Sequence, residues 1–228
     1  MNKKKISTLL IVGMLTIGVI SGTLAYFTST DSVTNKFSTG TTDDSSNPDA
    51  GIKIEENFLD SSNGEYKKPV LPGMTMTKEV KVKNTANYDQ YVRAKIEKVW
   101  KNNNGEKVTH YKVENGNITY LGENDDKSGA TELSLDKIKL NLSEAGTSKG
   151  NSWTSEIGGY YYYNQKLAPQ GQTALLLESV TFLSDDTDNY YKNLKFDVIV
   201  TAESIQTEGI TASNKPSEWS NLHSYVFE

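Results

Sequence analysis

The chain has 228 residues and no cysteine, with 36% hydrophobic and 23% charged residues and a formal net charge of −5. This composition excludes a disulfide-stapled scaffold, a thiol enzyme, an iron–sulfur protein and a zinc site built on cysteine pairs. The first 25 residues contain three lysines and no acid, so the other 203 contain 21 basic and 29 acidic residues, a net charge of −8. An acidic chain disfavours nucleic acid as a partner, because nucleic acid is bound by basic surfaces.

The N-terminus has the parts of a secretory signal peptide. Lysines at positions 3–5 precede seventeen uncharged residues from Ile6 to Gly22. We expect residues 1–25 to be a signal peptide cleaved between Ala25 and Tyr26, and the mature chain to be secreted. A retained membrane anchor is the alternative, although seventeen residues are few for a bilayer span.

Residues 26–40 read YFTSTDSVTNKFSTG and predict an extended N-terminal strand. Phe27, Val33 and Phe37 all have odd numbers and polar residues lie between them, so a strand would place the three on one face. A polar linker over 41–50 separates this strand from the rest of the chain. The strand therefore has two options: it returns to its own sheet, or it lies across the open edge of a neighbour's sheet.

Residues 51–206 predict a single β-sandwich. Apolar residues alternate with polar ones, which indicates strands with one buried face and one wet face. The alternating runs are Ile52 and Ile54; Val80 and Val82; Val92, Ala94, Ile96 and Trp100; Ile138, Leu140 and Leu142; Leu176, Val180 and Phe182; and Leu194, Phe196, Val198, Val200 and Ala202. Turn signals such as Asn115-Gly116 and Gly158-Gly159 separate the runs, which is typical of antiparallel hairpins.

The C-terminal segment over 207–228 follows the last strand and contains Trp219, Tyr225 and Phe227. Three interpretations stay open for it: a disordered tail, a strap across the sandwich, or a docking element. Partial order is favoured, because large aromatic residues are uncommon in purely solvating tails.

Several motifs resemble one family of Gram-positive secreted matrix proteins. The most specific are the blocks at the export signal and mature start, 23–28 and 35–40. Weaker matches follow along the sandwich, at 71–73, 80–85, 91–94, 159–164, 167–169, 177–180 and 202–206. This pattern resembles the family of TasA and the camelysins, whose members are processed by a signal peptidase of the SipW type. Within it, the sequence is most similar to the clostridial BsaA-type pilin-like matrix proteins.

The resemblance implies an all-β, jelly-roll-like antiparallel β-sandwich whose N-terminal strand acts as a donor. It implies secretion to the extracellular matrix or cell surface, and self-association into head-to-tail biofilm or pilus-like fibres through Phe27, Val33 and Phe37. The implied partners are other copies of the chain, the dedicated SipW-type signal peptidase and accessory matrix subunits. We expect no catalytic residue, no cofactor and no metal.

Two other functions stay open. A camelysin-like metallopeptidase would need three protein ligands for zinc, and the only histidines are His110 and His223, with no HExxH motif. A surface adhesin or carbohydrate-binding module would use the tyrosine run over 160–163 as a stacking platform. Alternation instead favours two of these tyrosines in the core and two on the outer surface of the sheet. The acidic groups at 123–126 and 185–188 lack the ligand order of a calcium loop and are interpreted as solvated loops.

Overall fold

The computed structural model describes residues 27–35, 51–58, 61–62, 65–66, 70–185 and 188–227. These residues form fourteen strands and four short 3-10 helices, the helices at Leu135–Lys137, Asp188–Tyr191, Ser217–Trp219 and Ser224–Phe227. The strands are β1 (Phe27–Asn35), β2 (Ile52–Phe58), β3 (Ser61–Ser62), β4 (Glu65–Tyr66), β5 (Thr75–Asn84), β6 (Gln90–Lys101), β7 (Lys107–Val108), β8 (His110–Glu114), β9 (Asn117–Leu121), β10 (Thr131–Glu132), β11 (Ile138–Leu142), β12 (Tyr161–Tyr162), β13 (Leu177–Phe182) and β14 (Lys195–Gln206).

Two sheets form the layers of a β-sandwich. The first has the strand order β12-β6-β14-β1-β4-β3, with β7 paired to the far end of β6, and the second has the order β11-β13-β5-β2. A small third sheet, β10-β8-β9, carries the hairpin predicted at Asn115-Gly116. Both turn residues have positive φ, 50° and 79°, as a type I′ hairpin requires. The all-β sandwich prediction is confirmed.

Alternation fixes which face of each strand is buried. In β5 the even positions are buried from Met76 to Asn84, while the odd positions are more exposed. In β14 the even residues from Phe196 to Ala202 are fully buried. These two sets belong to one core cluster, so the facing sides of the two sheets enclose the main core.

Two short segments between strands contain 3-10 helices. The stretch 134–139 begins with a 3-10 helix at Leu135–Lys137, capped by the Ser134 side chain, and then enters β11. The segment between β13 and β14 contains the 3-10 helix Asp188–Tyr191. In the part of the chain that the structure describes, no helix has the length and apolar character needed to cross a membrane.

Alkaline pH is expected to destabilise the sandwich through Tyr161. Burial, reinforced by nearby Glu156, raises the pKa of the Tyr161 phenol from 10.0 to about 12. The unfolded chain therefore loses this proton at a lower pH than the folded chain. The stability that the neutral phenol contributes is complete below pH 10 and is lost as the pH rises towards 12.

Denaturant unfolding on both sides of this pH window tests the expectation. The wild-type chain should lose stability as the pH rises, and Tyr161→Phe should lose less. Equal losses in the two chains would contradict the assignment to Tyr161.

Candidate assembly interface

Strand β1 occupies a slot between β14 and the β3–β4 hairpin. It pairs in parallel with β14 over nine positions, from Phe27 opposite Phe196 to Asn35 opposite Ser204. On its other side, Thr28 lies opposite Glu65 of β4. Every other strand pair in the described residues is antiparallel. Among the two options for the N-terminal segment, this chain returns the strand to its own sheet.

The register matches the predicted pattern of the N-terminal strand. Phe27 and Val33 lie opposite Phe196 and Ala202, which are fully buried in the core. Register thus places both positions on the core side of the sheet. Phe37, the third predicted polymerisation residue, lies outside the described residues, as do the predicted cleavage residues Ala25 and Tyr26.

The slot exists because β14 has backbone hydrogen-bonding groups along two edges, and each edge needs a partner strand. One edge is paired with β6 along all twelve residues from Lys195 to Gln206. The other edge is the one that β1 covers. Without β1, this second edge would present a row of open backbone donors and acceptors, which is a template for another strand. The slot is therefore built to receive an extended segment.

Asn35 and Gly51, which flank residues 36–50, lie at the same end of the sandwich. Asn35 lies opposite Ser204 near the end of β14, and Gly51 is tied to Thr85 just beyond β5 by two hydrogen bonds of 2.8 and 3.2 Å. Fifteen residues, 36–50, connect these points. Fully extended, they reach about 50 Å, whereas a strand of twelve residues is about 40 Å long. The fully extended connection is therefore longer than the longest strands of the sandwich.

An ion pair of the second sheet faces the interior of the sandwich. Lys78 of β5 lies on the buried side of its strand, and its Nζ atom is 2.6 Å from Oε1 of Glu56 on β2. The Lys78 side chain is 0% exposed and that of Glu56 is 13% exposed. Strand β1 approaches β2 from the opposite sheet. This pair therefore contributes charge to a core that is otherwise mostly apolar.

A second buried ion pair lies on the outer face of the first sheet. Arg93 of β6 donates from Nε to Oε2 of Glu203 on β14 at 2.8 Å, and its Nη1 donates to the Glu218 carbonyl. The guanidinium is packed between the rings of Tyr160 and Trp219, 4.0 and 4.6 Å from their centroids. Burial opposes the charged form, but hydrogen bonds to Glu203 and Tyr162 outweigh it and raise the pKa of Arg93.

The C-terminal segment is a strap across this outer face. Trp219, Leu222 and Val226 are buried against Tyr91 and Ile205 of the sheet in a second apolar cluster. The Tyr225 hydroxyl donates to Oδ1 of Asn164 at 2.7 Å, which ties the end of the strap to the loop after β12. Of the three interpretations of the tail, the described residues adopt the strap.

The tyrosine run over 160–163 does not form an open platform. Tyr161 and Tyr163 belong to the main core, and Tyr160 and Tyr162 lie in the cluster under the strap. The predicted alternation is confirmed, and the outer pair is covered by the strap as well. A carbohydrate-stacking surface at this run would require the strap to leave.

The two histidines lie in separate elements. His110 is in β8 opposite Leu121 and Glu132, and His223 stacks on Tyr225 in the strap. Among the described residues, no three histidine, cysteine, aspartate or glutamate side chains are grouped to hold a metal ion.

Local partners account for acidic residues in both loops that sequence analysis singled out. Glu123 pairs with Lys107 at 2.6 Å, and Asp185 pairs with Lys137 at 2.5 Å. Asp125 accepts a hydrogen bond from the Gly122 backbone, and Asp126 accepts two from Ser128, one from its backbone and one from its hydroxyl. The carboxylates of these loops thus organise their own turns.

Comparison with known proteins identifies the family. The model of the camelysin metallo-endopeptidase family matches residues 1–211. No curated protein matches the chain. One similar solved structure is the ASH or PapD-like domain 7 of human CEP192, at 11% identity and a TM-score of 0.25, covering 74% of this chain and 93% of that one. Because the family match spans most of the chain, the resemblance to the TasA and camelysin proteins is confirmed: the chain belongs to the camelysin family.

Proposed function

We propose that the chain is a secreted structural subunit that polymerises by N-terminal donor-strand addition into extracellular biofilm-matrix or pilus-like fibres. Membership of the camelysin family supports a secreted, matrix-type protein. Export through a SipW-type signal peptidase, association with accessory matrix subunits and the closer kinship to BsaA-type proteins are parts of the proposal that rest on the resemblance.

The observation that carries the proposal is the slot beside β14. Its occupant is joined to the rest of the chain only through residues 36–50, which are long enough to reach past one sandwich. A strand from a second copy would find the same backbone edge and the same register positions opposite Phe196 and Ala202. Exchange of an identical element between copies is a low-cost route to association.

An exchange in which each copy gives its strand to the next copy would produce a fibre. Each copy offers one donor strand, β1, and one acceptor edge, on β14, and these are different surfaces of the chain. The contact is therefore heterologous, and a heterologous contact that does not close into a ring grows into a filament. Backbone pairing along β14 would provide affinity, and the pockets for alternate side chains would provide register.

We further propose that the fibre subunit is not a peptidase, although the family description names a metallo-endopeptidase. The distribution of His110 and His223 over separate elements supports this. Incubation of the mature chain with a protein substrate, with and without a chelator, is the check. Cleavage that the chelator abolishes would overturn this part of the proposal.

Removal of the N-terminal segment is expected to prevent polymerisation. Electron microscopy of the mature chain, starting at Tyr26, should show fibres, and a version starting at Gly51 should show none at the same concentration. If both lengths polymerise equally, or both stay monomeric at high concentration, the donor-strand proposal is wrong.

A further inference from the structure

The second sheet, which faces β14 and β1 across the core, contains a buried charge on β5. Lys78 shares the buried face of β5 with Met76 and Val80, which are 1% and 0% exposed. Glu56, its partner, lies on β2 at the edge of the same sheet. Buried charges are costly unless they are paired and hydrogen-bonded, and where they persist their best-attested role is to fix register.

Strand register places Asp31 level with this charge. Phe27 lies opposite Phe196, and Phe196 packs on Phe182 with ring centroids 6.0 Å apart. The Phe182 backbone donates to the Met74 carbonyl at 2.9 Å, so Phe27 and Met74 are at the same height in the two sheets.

Both β1 and β5 run from the end of the sandwich where Phe27 and Met74 lie towards the opposite end. Four residues further along, β1 has reached Asp31 and β5 has reached Lys78. Position 31 also has the parity of Phe27 and Val33, opposite buried Val200. Asp31 therefore occupies a core-side position at the height of Lys78.

The strand offers a single acid for this position. The core-side positions of β1 are Phe27, Ser29, Asp31, Val33 and Asn35, and Asp31 is the only acidic residue between Tyr26 and Gly40. A slip of two residues keeps the parity of the strand. It would nevertheless bring Ser29 or Val33 to the height of Lys78 and move the acid beside Val198 or Ala202. If position 31 were apolar, a slip of two residues would cost less binding free energy, because no charge would be moved into an apolar site.

We propose that Asp31 is the specificity residue of the donor strand, and that an acceptor subunit reads it through the buried Lys78–Glu56 pair. This inference rests on the proposed function and names the contact that selects the partner strand and its register. The recognised ligand is an extended segment of a second copy with one acid at a core-side position, flanked by apolar positions.

Peptide inhibition of the full mature chain tests the inference. Synthetic peptides of residues 26–39 are added during polymerisation, as the wild-type sequence, with Asp31→Asn, or with Thr30→Asn as a control at the adjacent position of opposite parity. The wild-type and Thr30→Asn peptides should block fibre growth at similar concentrations. The Asp31→Asn peptide should need about tenfold more, which is the lower range for a hydrogen bond to a charged group.

The same peptides on Lys78 variants locate the contact. A Lys78→Met chain should respond to the wild-type and Asp31→Asn peptides alike, whereas Lys78→Arg, which keeps the charge, should still discriminate. If Lys78→Met does not fold, the inference is tested by comparing the wild-type and Asp31→Asn peptides on the wild-type chain and on Lys78→Arg.

Each contrary result has a separate meaning. Equal inhibition by wild-type and Asp31→Asn peptides on the wild-type chain would overturn the inference and leave donor-strand addition standing. Discrimination that persists in Lys78→Met would show that Asp31 is read by another group. Fibre growth that none of the peptides affects would overturn the donor-strand proposal and this inference with it.

Discussion

Replacing Val33 with aspartate is expected to abolish fibre growth while the sandwich stays folded. Val33 lies at the core-side register position opposite Ala202, and the same count of residues along β5 brings Val80, which is fully buried, to its height. An unpaired charge in an apolar site costs several kcal/mol, and each 1.4 kcal/mol is a factor of about ten in affinity. Strand addition should therefore weaken by about a hundredfold or more, as measured by the critical concentration for polymerisation.

Thr30→Asp is the matched control for this variant. It introduces the same charge into the same strand, opposite Ile199 on the other parity. This variant should polymerise within a few-fold of the wild type. Polymerisation of Val33→Asp at the level of Thr30→Asp would contradict the register. Global unfolding of Val33→Asp would show instead that β1 is an integral part of the monomer core.

Replacing Arg93 with methionine is expected to lower the free energy of unfolding by about 3–5 kcal/mol. The Arg93 and Glu203 side chains are only 3% and 9% exposed, so Glu203 would retain a buried charge without its partner. The variant would also lose the packing of the guanidinium against Trp219 and its bond to the strap. Urea unfolding of the mature chain measures the loss.

Two comparisons make the Arg93 prediction specific. Lys95→Met breaks the pair with Glu97, whose members are 42% and 48% exposed, and an exposed pair of this kind contributes about 1 kcal/mol at most. Arg93→Met combined with Glu203→Leu should recover most of the loss, because no buried charge is left. A loss in Arg93→Met no larger than in Lys95→Met would contradict the structural role of the buried pair.

Alternation was sufficient to predict the main strands and their buried faces. Val80 and Val82 on one sheet and Val198 and Val200 on the other were predicted as core residues, and all four are fully buried. Alternation succeeds because a strand with one buried face has a side-chain period of two. It does not encode which strand lies beside which, so the parallel pairing of β1 with β14 was not predictable from it.

Two features of the candidate interface were missed for a different reason. Lys78 has the parity of Val80 but was not considered a core residue, because lysine is almost never buried without a partner. The outer cluster was missed as well, although Tyr91 and Ile205 are apolar residues on the outward parity of β6 and β14. A charged residue at an alternate position that otherwise holds core residues would have indicated Lys78. Apolar residues at the alternate positions that face outward would have indicated the outer cluster.

The absence of cysteine acquires a physical explanation from these contacts. A secreted domain without disulfides must be stabilised by burial and backbone pairing. Here the main core is supplemented by the strap over Tyr91 and Tyr162 and by the strand that closes the edge of β14. In the proposed fibre, a neighbouring subunit contributes that last strand, so assembly would take part in the stabilisation that cross-links provide elsewhere.

Disulfide trapping between two copies tests donor-strand addition most directly. The chain has no cysteine of its own, and Thr30 lies opposite Ile199 in register, within the reach of a disulfide between adjacent strands. Mature Thr30→Cys and Ile199→Cys chains are mixed, allowed to polymerise and oxidised. Val113→Cys, at an exposed position of β8, replaces Ile199→Cys as the control.

Donor-strand addition predicts disulfide-linked dimers that contain one chain of each kind, in fibres and not in the Val113 control. Fibres that form without such mixed dimers, while a single chain with both Thr30→Cys and Ile199→Cys closes its disulfide internally, would show that β1 stays in its own subunit and would contradict the account.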